Sequence, residues 1–196
     1  IEFFMNFSGV AKLPINNEEL KVRCLFLTPL FHPTVLIRKK DFLKFKLKYD
    51  KNYFTEDYEL WSRVVENLKI ANIPEVLVKY RSSGTNVSAN KNIEIDKSHI
   101  KVMQNQFKKY LNLSFNNNEL KLLSKRVDFI DYLYNREEAL KIRADLIEKI
   151  LLQNSKIKFY NERVLVEYIN ANFNYATDIK SSKGFIKIIK KTIKLI

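Results

Sequence analysis

Cysteine and glycine are scarce in this 196-residue chain, which has one cysteine, Cys24, and three glycines. A single cysteine excludes an intrachain disulfide and favours a reducing, cytoplasmic compartment. The glycines form no phosphate-binding loop, and no cluster of oxygen ligands suits a hard divalent metal. The apolar residues come in short groups broken by charge, so no stretch is long enough to span a bilayer.

Basic residues outnumber acidic ones, with 35 Lys and Arg against 22 Asp and Glu and a formal net charge of +13. This charge favours an anionic partner, either nucleic acid, a membrane surface or a phosphorylated ligand. Composition alone does not choose among the three. Because Ile1 is not an initiator methionine, we expect the numbering to begin inside a longer product.

The pattern of apolar and turn-forming residues predicts an α+β chain in two parts, 1–90 and 91–196. The first part is expected to contain strands at 1–7, 34–37 and 75–81 and helices at about 16–27, from 39, and at 56–68. Pro33 is tolerated at the first residue of a strand and should hold His32 extended. The second part is expected to contain only helices, near 93–111, 117–134, 136–153, 160–172 and 183–195.

The helix predicted at 56–68 has a clear start and a clear apolar face. Thr55 is the expected cap. The residues at helical spacing, which should be buried, are Leu60, Trp61, Val64, Val65 and Leu68.

Three short motifs follow one another in the first part. They read F-H-P-T-V-L-I-R at 31–38, T-E-D-Y-E-L-W at 55–61 and I-P-E-V-L-V-K-Y-R at 73–81. In order, spacing and residue type they resemble the later half of the family 2 glycosyltransferases of GT-A type, over about residues 1–88. The resemblance implies a partial GT-A-like mixed sheet with helices, followed by an all-α C-terminal region. It also implies transfer of a sugar from a nucleotide-sugar donor to an acceptor hydroxyl, usually with inversion.

The resemblance assigns the catalytic base to Asp57. A base must be ionised to take a proton from an acceptor hydroxyl, and the positive end of a helix dipole favours a carboxylate. The alternative is that Glu56, Asp57 and Glu59 only complement the dipole. We favour the base for Asp57, and both interpretations stay open for Glu56 as a second catalytic residue.

Candidate substrate-binding residues flank the acidic pair. His32 precedes the strand where the family's acceptor pocket forms and could donate a hydrogen bond to a sugar or phosphate; packing at the strand start is the alternative. Arg81 and Lys79, near the end of the third strand, could offset phosphate charge. Ser83 takes the place of a histidine with which similar enzymes often help to bind the metal or diphosphate.

Similar enzymes have their nucleotide-binding half and a metal-binding D-x-D before the strand that matches residues 1–7. No D-x-D occurs here, so we expect a divalent metal, Mg or Mn, in the full enzyme and none bound to this chain, which should be inactive alone. The implied partners are a nucleotide-sugar donor and a sugar or lipid-linked acceptor. The family's habits suggest a role in cell-surface polysaccharide or glycoconjugate synthesis.

The segment 182–196 supports a second hypothesis, a non-catalytic basic helical module. Its apolar residues can line one helical face, and its five lysines lie mainly on the other, as in a helix lying on an anionic membrane. The chain would then be peripheral at the inner membrane face. A terminal helix docked on the domain fits the pattern equally well. Nucleic acid is the least favoured partner, because no recognised motif accompanies the basic residues.

Overall fold

The computed structural model describes residues 2–5, 9–82, 92–124 and 136–173. They belong to two compact units, one ending at Val102 and the other beginning at Met103. The division falls inside a long helix, later in the chain than the boundary predicted near residue 90.

A small mixed sheet lies in the first unit. Its strands are β1 (Glu2–Met5), β2 (Gly9–Val10) and β3 (Lys79–Ser82). β1 is central, antiparallel to β2 and parallel to β3, with Phe4 opposite Arg81. A parallel neighbour requires a long crossover, and here the crossover contains the first three helices. The sheet therefore places the third motif beside the start of the chain. The GT-A-like fold stays a prediction, because a three-stranded mixed sheet is common to many folds.

The helices of the crossover are α1 (Asn17–Phe26), α2 (Lys39–Lys44) and α3 (Glu56–Asn67). All three were predicted and are confirmed. Asn16 caps α1, because its side-chain oxygen accepts a hydrogen bond from the Glu19 backbone N–H at 2.9 Å. α1 packs against α3, and the fully buried core of the unit includes Leu20, Phe26 and Leu60.

α3 buries the face that its spacing predicts. Leu60, Trp61, Val64 and Val65 are buried, and Leu68 is half-buried just beyond the helix. Thr55 does precede the helix, but its side chain makes no capping hydrogen bond. The Thr55 hydroxyl instead lies 2.8 Å from Ser98 Oγ. The prediction is thus right about where the helix begins and wrong about the cap.

Two segments predicted as strands have another conformation. Residues His32–Thr34 form a 3-10 turn, and the residues that follow it up to 38 are not strand. The predictions of an extended His32 and of a strand at 34–37 are therefore wrong. Pro33 explains the difference, since its fixed φ also suits the first turn of a helix. Residues 75–78 precede β3 and are not strand, so only the end of the predicted third strand is confirmed. Both segments expose apolar side chains, with Leu36 99% and Leu77 63% accessible.

The remaining described residues form helices. They are α4 (Asn92–Leu111), α5 (Asn117–Leu123), α6 (Arg136–Ile157) and α7 (Glu162–Phe173). The predicted helices at 93–111, 136–153 and 160–172 are confirmed with shifted ends. The helix predicted at 117–134 is present to Leu123, and its remainder from 125 lies outside the described residues, as does all of 182–196. Among the helices described here, none is long and apolar enough to cross a membrane.

Polar contacts, one exposed and one buried, fix the ends of helices in the second unit. A capping box between Asn116 and Glu119 begins α5. Asn154 in α6, 1% exposed, donates to the Tyr160 carbonyl at 3.0 Å and accepts from the Tyr160 N–H at 2.9 Å. One amide side chain thereby satisfies both backbone groups of Tyr160 in the turn before α7.

Candidate active site

The first turn of α3 presents Glu56 and Asp57, both partly exposed, at the positive end of the helix. Burial raises the pKa of Asp57 above its usual value, and the hydrogen bond from the Tyr58 backbone N–H opposes this. Repulsion from Glu56 raises the pKa of Asp57 further, and attraction to His32 lowers it. A partly buried carboxylate with a raised pKa holds a proton more readily than a solvated one, as a general base must.

His32 lies beside this turn, in contact with two aromatic rings. Its Nε2 is 2.8 Å from the Tyr49 hydroxyl oxygen, and the two ring centroids are 5.3 Å apart. The Trp61 ring also contacts His32 in an edge-to-face arrangement, with centroids 6.4 Å apart. Packing and exposure therefore coexist, because His32 itself remains accessible to solvent.

Tyr49 is the residue of the site that the sequence did not indicate. Burial raises the pKa of its hydroxyl, and the charges of Asp57 and Glu56 raise it further. Tyr49 is therefore a neutral phenol at neutral pH, close to both carboxylates. We call His32, Tyr49, Glu56 and Asp57 the acidic-turn cluster. Three of its four members were predicted, and the fourth comes from a loop with no motif.

Residues near the beginning of α4 contact the acidic turn. The Thr55 backbone N–H donates to Ser98 Oγ at 3.1 Å, and the two hydroxyl oxygens are 2.8 Å apart. Next to Ser98, the His99 ring stacks on Tyr58 at a centroid distance of 4.6 Å. Residues of α4 therefore contact the positions on both sides of Glu56 and Asp57.

The stacked pair Tyr58 and His99 also donates hydrogen bonds to carbonyls left free at the C-terminus of α1. The Tyr58 hydroxyl donates to the Cys24 carbonyl at 3.0 Å, and His99 Nε2 donates to the Phe26 carbonyl at 3.0 Å. Burial lowers the pKa of His99, which keeps the ring neutral. Burial likewise raises the pKa of the Cys24 thiol far above its usual value, so Cys24 is an unreactive core residue.

The other predicted binding residues lie in or after β3. Lys79 is exposed there, and no hydrogen bond or ion pair within the described ranges joins it to the acidic-turn cluster. Arg81 also lies in β3, paired with Phe4 of β1. The Arg81 side chain and the whole of Ser83 lie outside the part of the chain that the structure describes.

A wide cleft of about 990 Å³ lies next to the cluster in the first unit. Its lining includes Trp61 and the exposed apolar residues Leu36 and Leu77, but not Asp57 or His32. Trp61 thus both contacts His32 and lines the cleft.

No metal site is evident in the described ranges, where no group of three or more His, Cys, Asp or Glu side chains could hold an ion. Glu56 and Asp57 offer two adjacent carboxylates, fewer ligands than a hard divalent cation takes from protein and water together. These two residues alone do not fit a metal. A divalent metal in a longer enzyme stays a prediction.

The chain is similar in sequence to two proteins that are named glycosyltransferases. No protein-family model matches the chain, and no solved structure matches it. Its relatives include an uncharacterized glycosyltransferase of Haemophilus influenzae, 27% identical over 190 residues, 95% of this chain and 55% of the relative. They also include the amylovoran biosynthesis glycosyltransferase AmsE of Erwinia amylovora, 27% identical over 94 residues, 47% of this chain and 35% of the relative. Both relatives are named glycosyltransferases.

The similarity supports a transferase and extends beyond the three motifs. The first relative matches nearly the whole chain, including the helical part after residue 90. The chain spans about half the length of that relative and about a third of the second.

Proposed function

We propose that the chain is part of an inverting family 2 glycosyltransferase of GT-A type, which transfers a sugar from a nucleotide-sugar donor to an acceptor hydroxyl. The acidic-turn cluster is the observation that supports this most directly. It places Asp57 at a helix N-terminus beside His32, in a chain whose relatives are named glycosyltransferases.

Asp57 acts as the general base in this proposal. Its carboxylate takes the proton of the acceptor hydroxyl while that oxygen attacks the anomeric carbon. The bond between the anomeric carbon and the phosphate oxygen of the donor breaks, and the nucleotide leaves as an anion. His32 donates a hydrogen bond to the acceptor, and Glu56 supplies a second carboxylate at the turn.

The donor site lies mostly outside this chain in the same proposal. Lys79, Arg81 and Ser83, in or just after β3, would meet the phosphates of the nucleotide sugar. The rest of the nucleotide site, with its Mg or Mn ion, would belong to a longer protein, and the chain alone would be inactive. A role in cell-surface polysaccharide or glycoconjugate synthesis is part of this proposal, and the Erwinia relative is named for amylovoran biosynthesis.

The test is Asp57→Asn in a longer protein that includes the donor-binding part, assayed by nucleotide release from a panel of nucleotide sugars. The amide keeps the shape of the side chain but cannot take the proton, so we expect a loss of roughly 10²- to 10⁴-fold. Asp145→Asn, at an exposed position on α6, is the matched control and should keep full activity. Retained activity in Asp57→Asn would sink the base assignment.

The membrane hypothesis concerns where this enzyme works and is compatible with catalysis. The net charge of +13 and the five lysines of 182–196 favour attachment to an anionic surface. Such attachment would bring a lipid-linked acceptor to the site and place the protein at the inner face of a membrane.

A further inference from the structure

The Tyr49 hydroxyl contacts the imidazole of His32, whose two nitrogens can have different hydrogen-bonding roles. Its oxygen lies 2.8 Å from His32 Nε2. No described residue forms a hydrogen bond with His32 Nδ1. In a neutral imidazole one nitrogen donates and the other accepts, and the partner of one nitrogen decides which.

The Tyr49 hydroxyl is able to donate in this pair, because it is protonated at neutral pH. Burial and the nearby charges of Asp57 and Glu56 raise the pKa of Tyr49, so the hydroxyl keeps its proton. Donation from this hydroxyl makes Nε2 the acceptor. The imidazole hydrogen must then be on Nδ1, the nitrogen that is left for a ligand.

We propose that Tyr49 is a positioning residue, whose hydroxyl donates to His32 Nε2 and makes Nδ1–H a hydrogen-bond donor for the acceptor sugar beside Asp57. This inference rests on the proposed function, since it assigns a role within the same site. Tyr49 need not contact the substrate. It acts by fixing the tautomer and the orientation of His32, whose ring is also in contact with Trp61.

The first experiment measures the contact itself in the chain as it stands. The chain has two histidines, so long-range ¹H–¹⁵N NMR resolves both rings, and His99 is an internal control. We expect His32 in the Nδ1–H form at neutral pH, and Tyr49→Phe should move the ¹⁵N shifts of His32 and leave His99 unchanged. An Nε2–H tautomer in the unmodified chain, or unchanged His32 shifts in the variant, would overturn the proposal.

The second experiment measures the consequence in a longer, active protein. Loss of one oriented hydrogen bond should raise KM for the acceptor roughly five- to tenfold, with a smaller change in kcat. Tyr53→Phe is the control, because the Tyr53 ring lies against Lys101 and not against His32. In a protein that already has His32→Ala, Tyr49→Phe should have no further effect.

An undiminished effect of Tyr49→Phe in the His32→Ala protein would mean that Tyr49 acts in another way, which overturns the proposal. Failure of the proposed function has a different signature, full activity in Asp57→Asn. The NMR result does not depend on activity, so the two failures are distinguishable.

Discussion

Ser98 forms two hydrogen bonds with Thr55, the residue immediately before the acidic turn. The Ser98 hydroxyl accepts from the Thr55 backbone N–H at 3.1 Å and lies 2.8 Å from the Thr55 hydroxyl. Ser98 is 7% exposed and belongs to α4. A helix that begins after the three motifs therefore holds the residue that precedes Glu56 and Asp57.

Replacement of Ser98 by alanine should weaken the fold. It removes both hydrogen bonds to Thr55 and should lower the free energy of unfolding by about 1–3 kcal/mol. Urea unfolding followed by circular dichroism measures this loss. Ser155→Ala, at an exposed helical position, should change the stability by less than about 0.5 kcal/mol. Equal stabilities of the two variants would contradict a structural role for Ser98.

The parts of the fold that were predicted correctly have local signals. α1 has its cap at Asn16 and acidic residues in its first turn. α3 has apolar residues at helical spacing, and both helices lie where expected. The strand predicted at 34–37 rested on β-forming residues alone, and such residues form a strand only where a neighbouring strand can pair with them. No such pairing is present for 34–37 in the described ranges, and the apolar side chain of Leu36 is exposed.

In the candidate site, some residues were indicated by a motif in the sequence and others were not. Motif resemblance indicated Asp57 and His32, and the structure places their side chains close enough for the charge of one to shift the pKa of the other. Tyr49 and Ser98 gave no sequence signal, because their partners lie 17 and 43 residues away. A contact that depends on how a loop and a helix fold back on α3 has no period or spacing in the sequence.

The charge of Asp57 should make the fold less stable as the pH rises. Because its pKa is raised in the folded state, the folded protein binds this proton more tightly than the unfolded chain. Stability therefore falls as the pH rises from the unfolded value of about 3.9 through the higher folded pKa. Asp57→Asn lacks this titration, so it should be more stable than the unmodified chain at pH 7.

The measurement compares urea midpoints of the two proteins at pH 3 and pH 7. The difference between them should be largest at pH 7 and should nearly vanish at pH 3, where Asp57 is protonated. A variant that is less stable than the unmodified chain at pH 7 would show that the Asp57 charge is well solvated or paired.

In the second unit, Asn154→Ala should be among the most destabilising single substitutions. It removes two buried hydrogen bonds and leaves the N–H and carbonyl of Tyr160 without their partner. The expected loss is about 2–4 kcal/mol, counting both groups. The control is Gln153→Ala, the preceding and partly exposed residue on α6, which should have a small effect. Thermal unfolding followed by circular dichroism compares the two, and similar midpoints would contradict the role of Asn154.

The basic segment 182–196 should bind anionic membranes by charge. Co-sedimentation with vesicles of phosphatidylglycerol and phosphatidylcholine should fall when the segment is deleted and also when its five lysines are changed to glutamine. Each lysine near such a surface contributes about 1 kcal/mol, and salt screens the attraction. Binding should therefore weaken between low and physiological ionic strength.

Changing five lysines elsewhere in the chain is the matched control for net charge. Equal binding to neutral and anionic vesicles would mean that the segment does not act by electrostatic attraction, and the docked terminal helix would become the better hypothesis.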